Sequence, residues 1–570
     1  MQSQSMKLAS AFTIFTCLAV QGPVLSQTCV EPAASDFTTE TLVTTGGTLS
    51  EAQSGATGPV QMAVAAPNRI FVGMMRTGEI RAYTGTANTV VLAGKVATYF
   101  NTEDGLLGIA VDPNFATTKW LYVFASDPAS SGANRSCVLY RYSVSDANQI
   151  SNQKIILRVT RDADTHHAAG GLAFASNGTL VIGTGDNSDP HDATNGGYGS
   201  LNTGRSVADA QRTAANSMDL RGKILRIRPL PFADAQTPEP GVGATYDIPP
   251  GNMFPAGTAN TRPEIFTMGH RNPFHPRIDS RSGWIFWGEI GPDAGSAGSK
   301  GPEGYEEWNL TAKTGFFGWP YCVANNLTYQ GQSCTAPMNN SPNNKGIKEL
   351  PAATQPQLYY SNSHKDDRYG GTGETAIGGP MYRYDPNLVS TVKFPPYFEG
   401  KIFYFDWSKR GFRVLSPTAN ATLPTSADAV KNFAPAGLPT ASYIDMQFGP
   451  DGAMYLLRFS DNAYTIGGGG GLYRVEYKGS ADNSCYKAFT PTVVGPDAGV
   501  VSVRPAEMRK TLAPSLDGMV TLPYGYTTVR LFDMSGREVW KYRRDRASEP
   551  VQLRLPAHLS KGVWQARFFP

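Results

Sequence analysis

The chain has 570 residues, 41% of them hydrophobic and only 17% charged, with a formal net charge of +3. That composition supplies a large core and excludes a disordered chain, while the near-neutral balance gives the body no electrostatic footprint for nucleic acid. The positive charge is concentrated at the end, where Val501 to Pro570 carry twelve Lys/Arg against six Asp/Glu.

The first 26 residues, MQSQSMKLASAFTIFTCLAVQGPVLS, place one lysine before an apolar run and small residues before a cut near Ser26, which predicts an export signal. The run is shorter than the ~20 residues that cross a bilayer, and no later segment approaches that length, so no transmembrane segment is expected. Export to the periplasm, the cell surface or the medium permits disulfides. Removal of the signal takes Cys17 and leaves Cys29, Cys137, Cys322, Cys334 and Cys485. Cys322 and Cys334 enclose a loop rich in Asn, Gln, Gly and Ser that suits a staple; Cys29 and Cys485 bracket the body; an odd count leaves one thiol over.

Residues 27–487 read almost wholly as short strands, because period-two apolar alternation recurs between Gly, Asn, Asp and Pro clusters. Examples are PVQMAVAAPNRIFVGMMRTGEIRAY from Pro59, LLGIAVDPNFATTKWLYVFAS from Leu106, GLAFASNGTLVIGTGD from Gly171 and DMQFGPDGAMYLLRF from Asp445. An apolar strand carrying one arginine recurs with them, at Arg81, Arg141, Arg226, Arg383, Arg413 and Arg474. Repeated hairpins without helices predict an all-β propeller of radial sheets in preference to a two-sheet sandwich, with long loops between blades. Residues 488–500 read as a Pro/Gly linker, and 501–570 as a small β-sandwich broken at MSGR and LSKG.

Three stretches carry candidate chemistry. In HHAAGGLAFASNGTLVIGTGD, His167 precedes a glycine pair and Asp186 ends the return strand of a hairpin turning at Asn177 and Gly178, so the carboxylate is expected to reach and orient an imidazole. In MGHRNPFHP, Arg271 offers a fixed cationic fork to an oxyanion or a quinone oxygen. In GEIGPDAGSAGSKGPEGYEEWN, a Gly-Pro turn precedes Glu303, Glu306 and Glu307, a set of oxygens that suits calcium, the alternative being a solvated acidic loop. There is no GxxxxGK[ST] loop, no HExxH and no GxSxG, which removes the common nucleotide, zinc-peptidase and serine-hydrolase signatures.

Taken together, EDGLLGIAVDPNF, HHAAGGLAF with VIGTGD, RGKILRI, PEIFTMGHRNPF, EIGP with EEWN, GFFGWP, WSKRG and DMQFGPDGAMYLL resemble, in order from Glu103 to Arg474, the soluble quinoprotein glucose/sorbosone dehydrogenase family. The resemblance implies a six-bladed propeller that oxidises a sugar with pyrroloquinoline quinone and Ca2+ and passes electrons to an external acceptor. It assigns His167 as general base and Asp186 as its orienting carboxylate. Glu103, Arg271, Asn272 and Lys409 become cofactor contacts, with Arg271 also stabilising charge; Gly291 and Pro292 hold calcium, joined by Glu306 and Glu307. The family's Arg-x-Arg pair before the last hairpin is replaced here by Ser442 and Ile444, which removes two charge-assisted contacts to the cofactor. That departure keeps open a non-catalytic carbohydrate-binding propeller, whereas a calcium-dependent lactone hydrolase would need an axial carboxylate cage absent from the motifs. The tail, through VRLFDMSGREV and LPAHLSKGVW, resembles C-terminal sorting domains of type IX secretion, and implies secretion machinery or the cell surface as a partner.

Overall fold

The computed structural model describes residues 29–498 apart from 46–47, 52–57, 102, 129–134, 163–165, 190–199, 233–234, 364–373, 462–468 and 481–482, together with six strands between 508 and 569. The expected export signal lies outside the described residues. Six sheets follow one another along the chain, each with four antiparallel strands at its core, that of blade 3 being extended by two further short strands. Blade 1 runs from Pro59–Ala66 to Val90–Lys95, blade 2 from Leu106–Val111 to Ile150–Thr160, and blade 3 from Ala169–Phe174 through Leu180–Thr184 and Lys223–Pro229 to Ile265–Met268. Blade 4 contains Pro273–Asp279, Trp284–Glu289, Tyr305–Thr311 and Leu358–Ser361, and blade 5 runs from Ala376–Met381 through Ile402–Asp406 and Gly411–Leu415 to Val430–Phe433. Blade 6 has three strands, Ser442–Phe448, Met454–Ser460 and Gly471–Tyr477; its fourth is the N-terminal strand Phe37–Val43, antiparallel to Gly471–Tyr477 with Phe37 opposite Tyr477.

The first strand of each blade lies beside the first strand of the next, and that of blade 6 beside that of blade 1, so the fold is a closed six-bladed β-propeller. Chain closure is held three ways. Phe37 packs within 5.1 to 5.4 Å of the rings of Phe394, Phe433 and Tyr477; the strand itself supplies backbone bonds; and Cys29 is joined to Cys485. Strands of adjacent blades approach too closely for side chains at several seams; a Cβ on Gly108 would stand 2.1 Å from the Gly170 carbonyl oxygen, and one on Gly288 2.1 Å from that of Ala376.

Polar side chains tie the ring where backbone pairing cannot. Gln61 of blade 1 accepts from Ile109 N at 3.0 Å and Leu172 N at 3.1 Å and donates to Leu172 O at 3.0 Å, linking three blades. Asp445 of blade 6 accepts from Met62 N of blade 1 at 2.9 Å and pairs with Arg277 of blade 4. Buried acceptors and donors thus satisfy one another across seams.

Residues 488–498, expected to be a linker, lie against the turns of three blades. Thr492 N donates to Ala419 O at 2.8 Å, Trp284 Nε1 to Val493 O at 2.7 Å, and Gly495 N to Ser282 O at 2.7 Å. Asp497 then accepts from Arg226 Nε at 2.8 Å and from Asn177 and Thr179 at 3.0 Å each. The described strands beyond 508 form two antiparallel sheets, one ordered Met508–Leu512, Trp564–Phe569, Thr528–Phe532, Glu538–Arg543, the other pairing Met519–Leu522 with Val551–Arg554.

Candidate functional site

The opposite end of the ring, where first strands begin and second strands end, gathers most of the residues singled out in the sequence. His167 lies two residues before the first strand of blade 3 and Asp186 two residues after the end of its second strand, whose Thr184 pairs with Ala169. The hairpin therefore brings the two together: His167 Nδ1 lies 2.7 Å from Asp186 Oδ1. Both are buried, whereas His166 is only half-buried, its ring 6.4 Å from that of His167.

Asp186 accepts from every side. Ser188 N donates to Oδ1 at 2.9 Å, and Ser188 Oγ and Trp319 Nε1 donate to Oδ2 at 2.8 and 2.6 Å. Complete burial pushes its carboxyl up, but the charge and hydrogen bond of His167, then Arg271 and the Ser188 N–H, outweigh burial and hold it below the ordinary carboxylate value. An ionised Asp186 fixes the proton of His167 on Nδ1 and leaves Nε2 as the acceptor.

Arg271 and Asn272 come from the segment leading into blade 4. Asp186 N donates to Arg271 O at 2.7 Å, which ties the two segments. Glu289, at the end of the second strand of blade 4, holds the turn: its Oε1 accepts from Arg271 N at 2.8 Å and Asn272 N at 2.7 Å, its Oε2 from His270 Nδ1 at 2.9 Å and Trp287 Nε1 at 3.3 Å. The Arg271 guanidinium donates through Nη1 to Ile290 O at 3.1 Å and stands 5.9 Å from the centre of the Trp319 ring. Gly185 sits between the halves of the site; a Cβ there would meet His167 O at 1.9 Å and Asn272 Oδ1 at 3.0 Å. Glu103 joins them, its Oε2 accepting from Ala168 N at 3.2 Å. Glu103, His167, Asp186, Arg271 and Asn272 are thus one cluster at the mouths of blades 2, 3 and 4.

Lys409 follows the second strand of blade 5; its N donates to Asp406 Oδ1 at 3.0 Å and its Nζ stands 3.6 Å over the Tyr360 ring. Ser442 and Ile444 lie in the first strand of blade 6, both buried.

The expected calcium set does not assemble. Glu306 and Glu307 are consecutive strand residues with partners on different sides. Glu306 accepts from Gly291 N at 3.1 Å and Ala376 N at 3.0 Å, Glu307 from Ala324 N at 2.8 Å and Asn309 Nδ2 at 3.2 Å. The Pro292 carbonyl already accepts from Asn362 Nδ2 at 3.0 Å. Burial raises the Glu306 carboxyl well above its ordinary value, and burial followed by the charge of Glu289 pushes Glu307 up to about 8. Neutral acids on opposite faces of a strand do not fit one calcium ion, and among the described residues no three His, Cys, Asp or Glu cluster as metal ligands. The residues do fit a group that is anionic or carries a quinone oxygen and also has a donor: the fixed Arg271 guanidinium would donate to the oxygen, and the buried Asn272 Oδ1, which has no hydrogen-bond partner, would accept from an N–H of the same group.

Trp319, Glu289 and Ser188 had no assigned role in the sequence. Trp319 belongs to an excursion of blade 4, residues 312–357, that crosses to blade 3, where Gly315–Phe316 adds a parallel strand to Thr267 and Met268, and is closed by Cys322–Cys334. GFFGWP and GEIGP marked these positions, but contacts across 133 residues carry no local signal.

In comparisons with known proteins, the chain is 26% identical over 330 residues to the HIPL2 protein of Arabidopsis thaliana, covering 51% of this chain and 42% of that one, so it spans less than half of that relative's length. It is 24% identical over 309 residues to an aldose sugar dehydrogenase of Escherichia coli, 54% of this chain and 68% of that one. A crystal structure of a glucose dehydrogenase matches 77% of this chain and 98% of its own with 22% identity and a TM-score of 0.49. Residues 56–365, more than half of the chain, match the sequence profile described as Glucose / Sorbosone dehydrogenase, and the protein belongs to that family.

Proposed function

We propose that this protein is an exported dehydrogenase that oxidises an aldose or a related sugar at a CH–OH carbon, with His167 as base. The observation that carries this reading is the buried His167–Asp186 pair tied through Asp186 N to the backbone of Arg271, which puts a proton acceptor beside a fixed cation. Asp186 orients the imidazole, and Nε2 takes the hydroxyl proton of the sugar. Arg271 and Asn272, with Glu103 and Lys409 at the same end of the ring, are the residues that would hold pyrroloquinoline quinone. That group, when bound, would supply the two-electron acceptor for the hydride leaving the same carbon. Arg271 offsets negative charge at the acceptor side, and Glu289 keeps it from turning away. No step is assigned to calcium, since Glu306 and Glu307 do not converge.

The two disulfides, Cys29–Cys485 and Cys322–Cys334, support an oxidising compartment, and among the described residues no helix is long and apolar enough to cross a membrane. The basic C-terminal unit is proposed to serve export or surface attachment. The electron acceptor is a soluble or membrane carrier outside this chain.

The test is reconstitution. Purified protein is mixed with pyrroloquinoline quinone, with and without Ca2+, and sugar-dependent bleaching of a redox dye is followed. Turnover supports the dehydrogenase. Failure to bind micromolar cofactor while retaining sugar would favour the carbohydrate-binding propeller, the reading that Ser442 and Ile444 in place of arginines support.

A further inference from the structure

We infer that Trp319 is a positioning residue for the base: its indole N–H restrains the Asp186 carboxylate and through it sets the proton affinity of His167. This rests on the role proposed for His167. Of the four donors on Asp186, His167 Nδ1 and the two from Ser188 come from the same hairpin, within nineteen residues of chain. Trp319 arrives from another blade and makes the 2.6 Å contact.

The excursion is built to hold that indole still. Phe317 N donates to Met268 O at 2.8 Å and Trp319 N to Gly269 O at 3.1 Å, so the segment is registered on blade 3 up to the ring's attachment point. Tyr329 packs edge-on against the indole with centroids 5.7 Å apart, and the Cys322–Cys334 bond closes the loop that carries Tyr329, starting three residues after Trp319. Trp319 is buried. An indole nitrogen only donates, so whatever the protonation of its neighbours it withdraws charge from Oδ2. A carboxylate with less free charge stabilises an imidazolium less, so the indole bond acts on the His167–Asp186 pair through Oδ2. The same ring faces Arg271, so one side chain spans the proton-accepting and the cationic halves of the site.

The other ionisable groups around the pair are Glu103, which accepts from Ala168 N, His166 beside the ring, Arg271, and Lys223 on the far side of Asp186. None of them touches the indole nitrogen, so Trp319→Phe removes one donor, keeps an aromatic ring in place, and leaves these charges where they are.

The test uses the full chain without cofactor, labelled with 15N at histidine and tryptophan, and follows the His167 ring nitrogens by NMR against pH, His167→Gln identifying the signal. Trp319→Phe should move the His167 midpoint upward by about 0.5 to 1 unit, which is about 0.7 to 1.4 kcal/mol at 1.36 kcal/mol per unit. In the parent protein the Trp319 indole N–H should shift with the same midpoint as His167, a measurement that stands even if the Phe variant does not fold. A purely structural tryptophan would lower the urea midpoint and leave the His167 titration where it was. That result, or an indole signal indifferent to the titration, overturns the inference. Because no step of the experiment needs turnover, its outcome is separate from whether the protein oxidises sugar.

Discussion

Glu307 gives the sharpest test of the electrostatics beneath the site. Its carboxyl is buried, pushed up to about 8 by burial and then by the charge of Glu289, so it is protonated in the folded protein at pH 6 but ionised in the unfolded chain. The folded state then holds a proton that the unfolded state lacks, and stability falls as pH rises from about 4.3 to about 8, by up to about 1.4 kcal/mol for each unit. Glu306, raised for the same first reason, acts in the same direction. Lys223, buried and lowered to about 7, acts oppositely above that pH, but it is common to parent and variant and cancels in their difference. Glu307→Gln mimics the protonated acid. Its carbonyl accepts from Ala324 N as Oε1 does now, and its amide donates to Asn309 Oδ1, a buried oxygen that lacks a partner and meets it when the Asn309 amide turns over. Because the parent loses stability from about pH 4.3 upward and the variant does not, the variant's margin over the parent should grow by about 2 kcal/mol between pH 6 and pH 8, read from urea unfolding midpoints at pH 6, 7 and 8. A constant difference across that range, or a variant weaker at pH 8, would refute the assignment of a neutral Glu307.

His167→Gln should lower kcat/KM of the reconstituted enzyme by about 10²- to 10⁴-fold, with an unchanged urea midpoint. Glu289→Gln turns an amide N–H₂ toward the donors of His270 and Trp287; an orphaned buried donor and weakened charge-assisted bonds should cost about 2 to 3 kcal/mol and loosen cofactor binding, checked by urea unfolding and fluorescence titration. Asp497→Ala strands the fully buried Arg226 guanidinium and should destabilise the propeller by about 3 to 5 kcal/mol while kcat at 25 °C stays within about twofold, since residues 488–498 lie on the face away from the site. Cys29→Ser with Cys485→Ser should cost about 2 to 4 kcal/mol and speed hydrogen exchange first in Phe37–Val43, measured by mass spectrometry.

Strand periodicity and turn residues made the blades legible because each hairpin is a local object, and the hairpin of blade 3 even located His167 against Asp186. The recurring arginine marks a true position in five blades: Arg81, Arg141, Arg226, Arg413 and Arg474 all lie in third strands. Arg383 breaks the rule, following the first strand of blade 5, where it pairs with Asp279 of blade 4. Blade 4 carries no such arginine in Tyr305–Thr311, and it is also the blade whose excursion leaves the sheet to reach blade 3. Closure was legible only as cysteines that bracket the body, because the strand that completes blade 6 pairs with residues more than 400 positions away. The acidic loop misled for a specific reason. Consecutive glutamates look like a ligand pair in a string of letters, but a strand sends them to opposite faces, and Tyr305–Thr311 is a strand. A site drawn from motifs therefore shows which residues are chemically able, and the pleat decides which of them can meet. By that criterion the proton side of this site, held within one hairpin, was readable in advance, and its supports, Glu289 and Trp319, were not, because each earns its partners from a different blade.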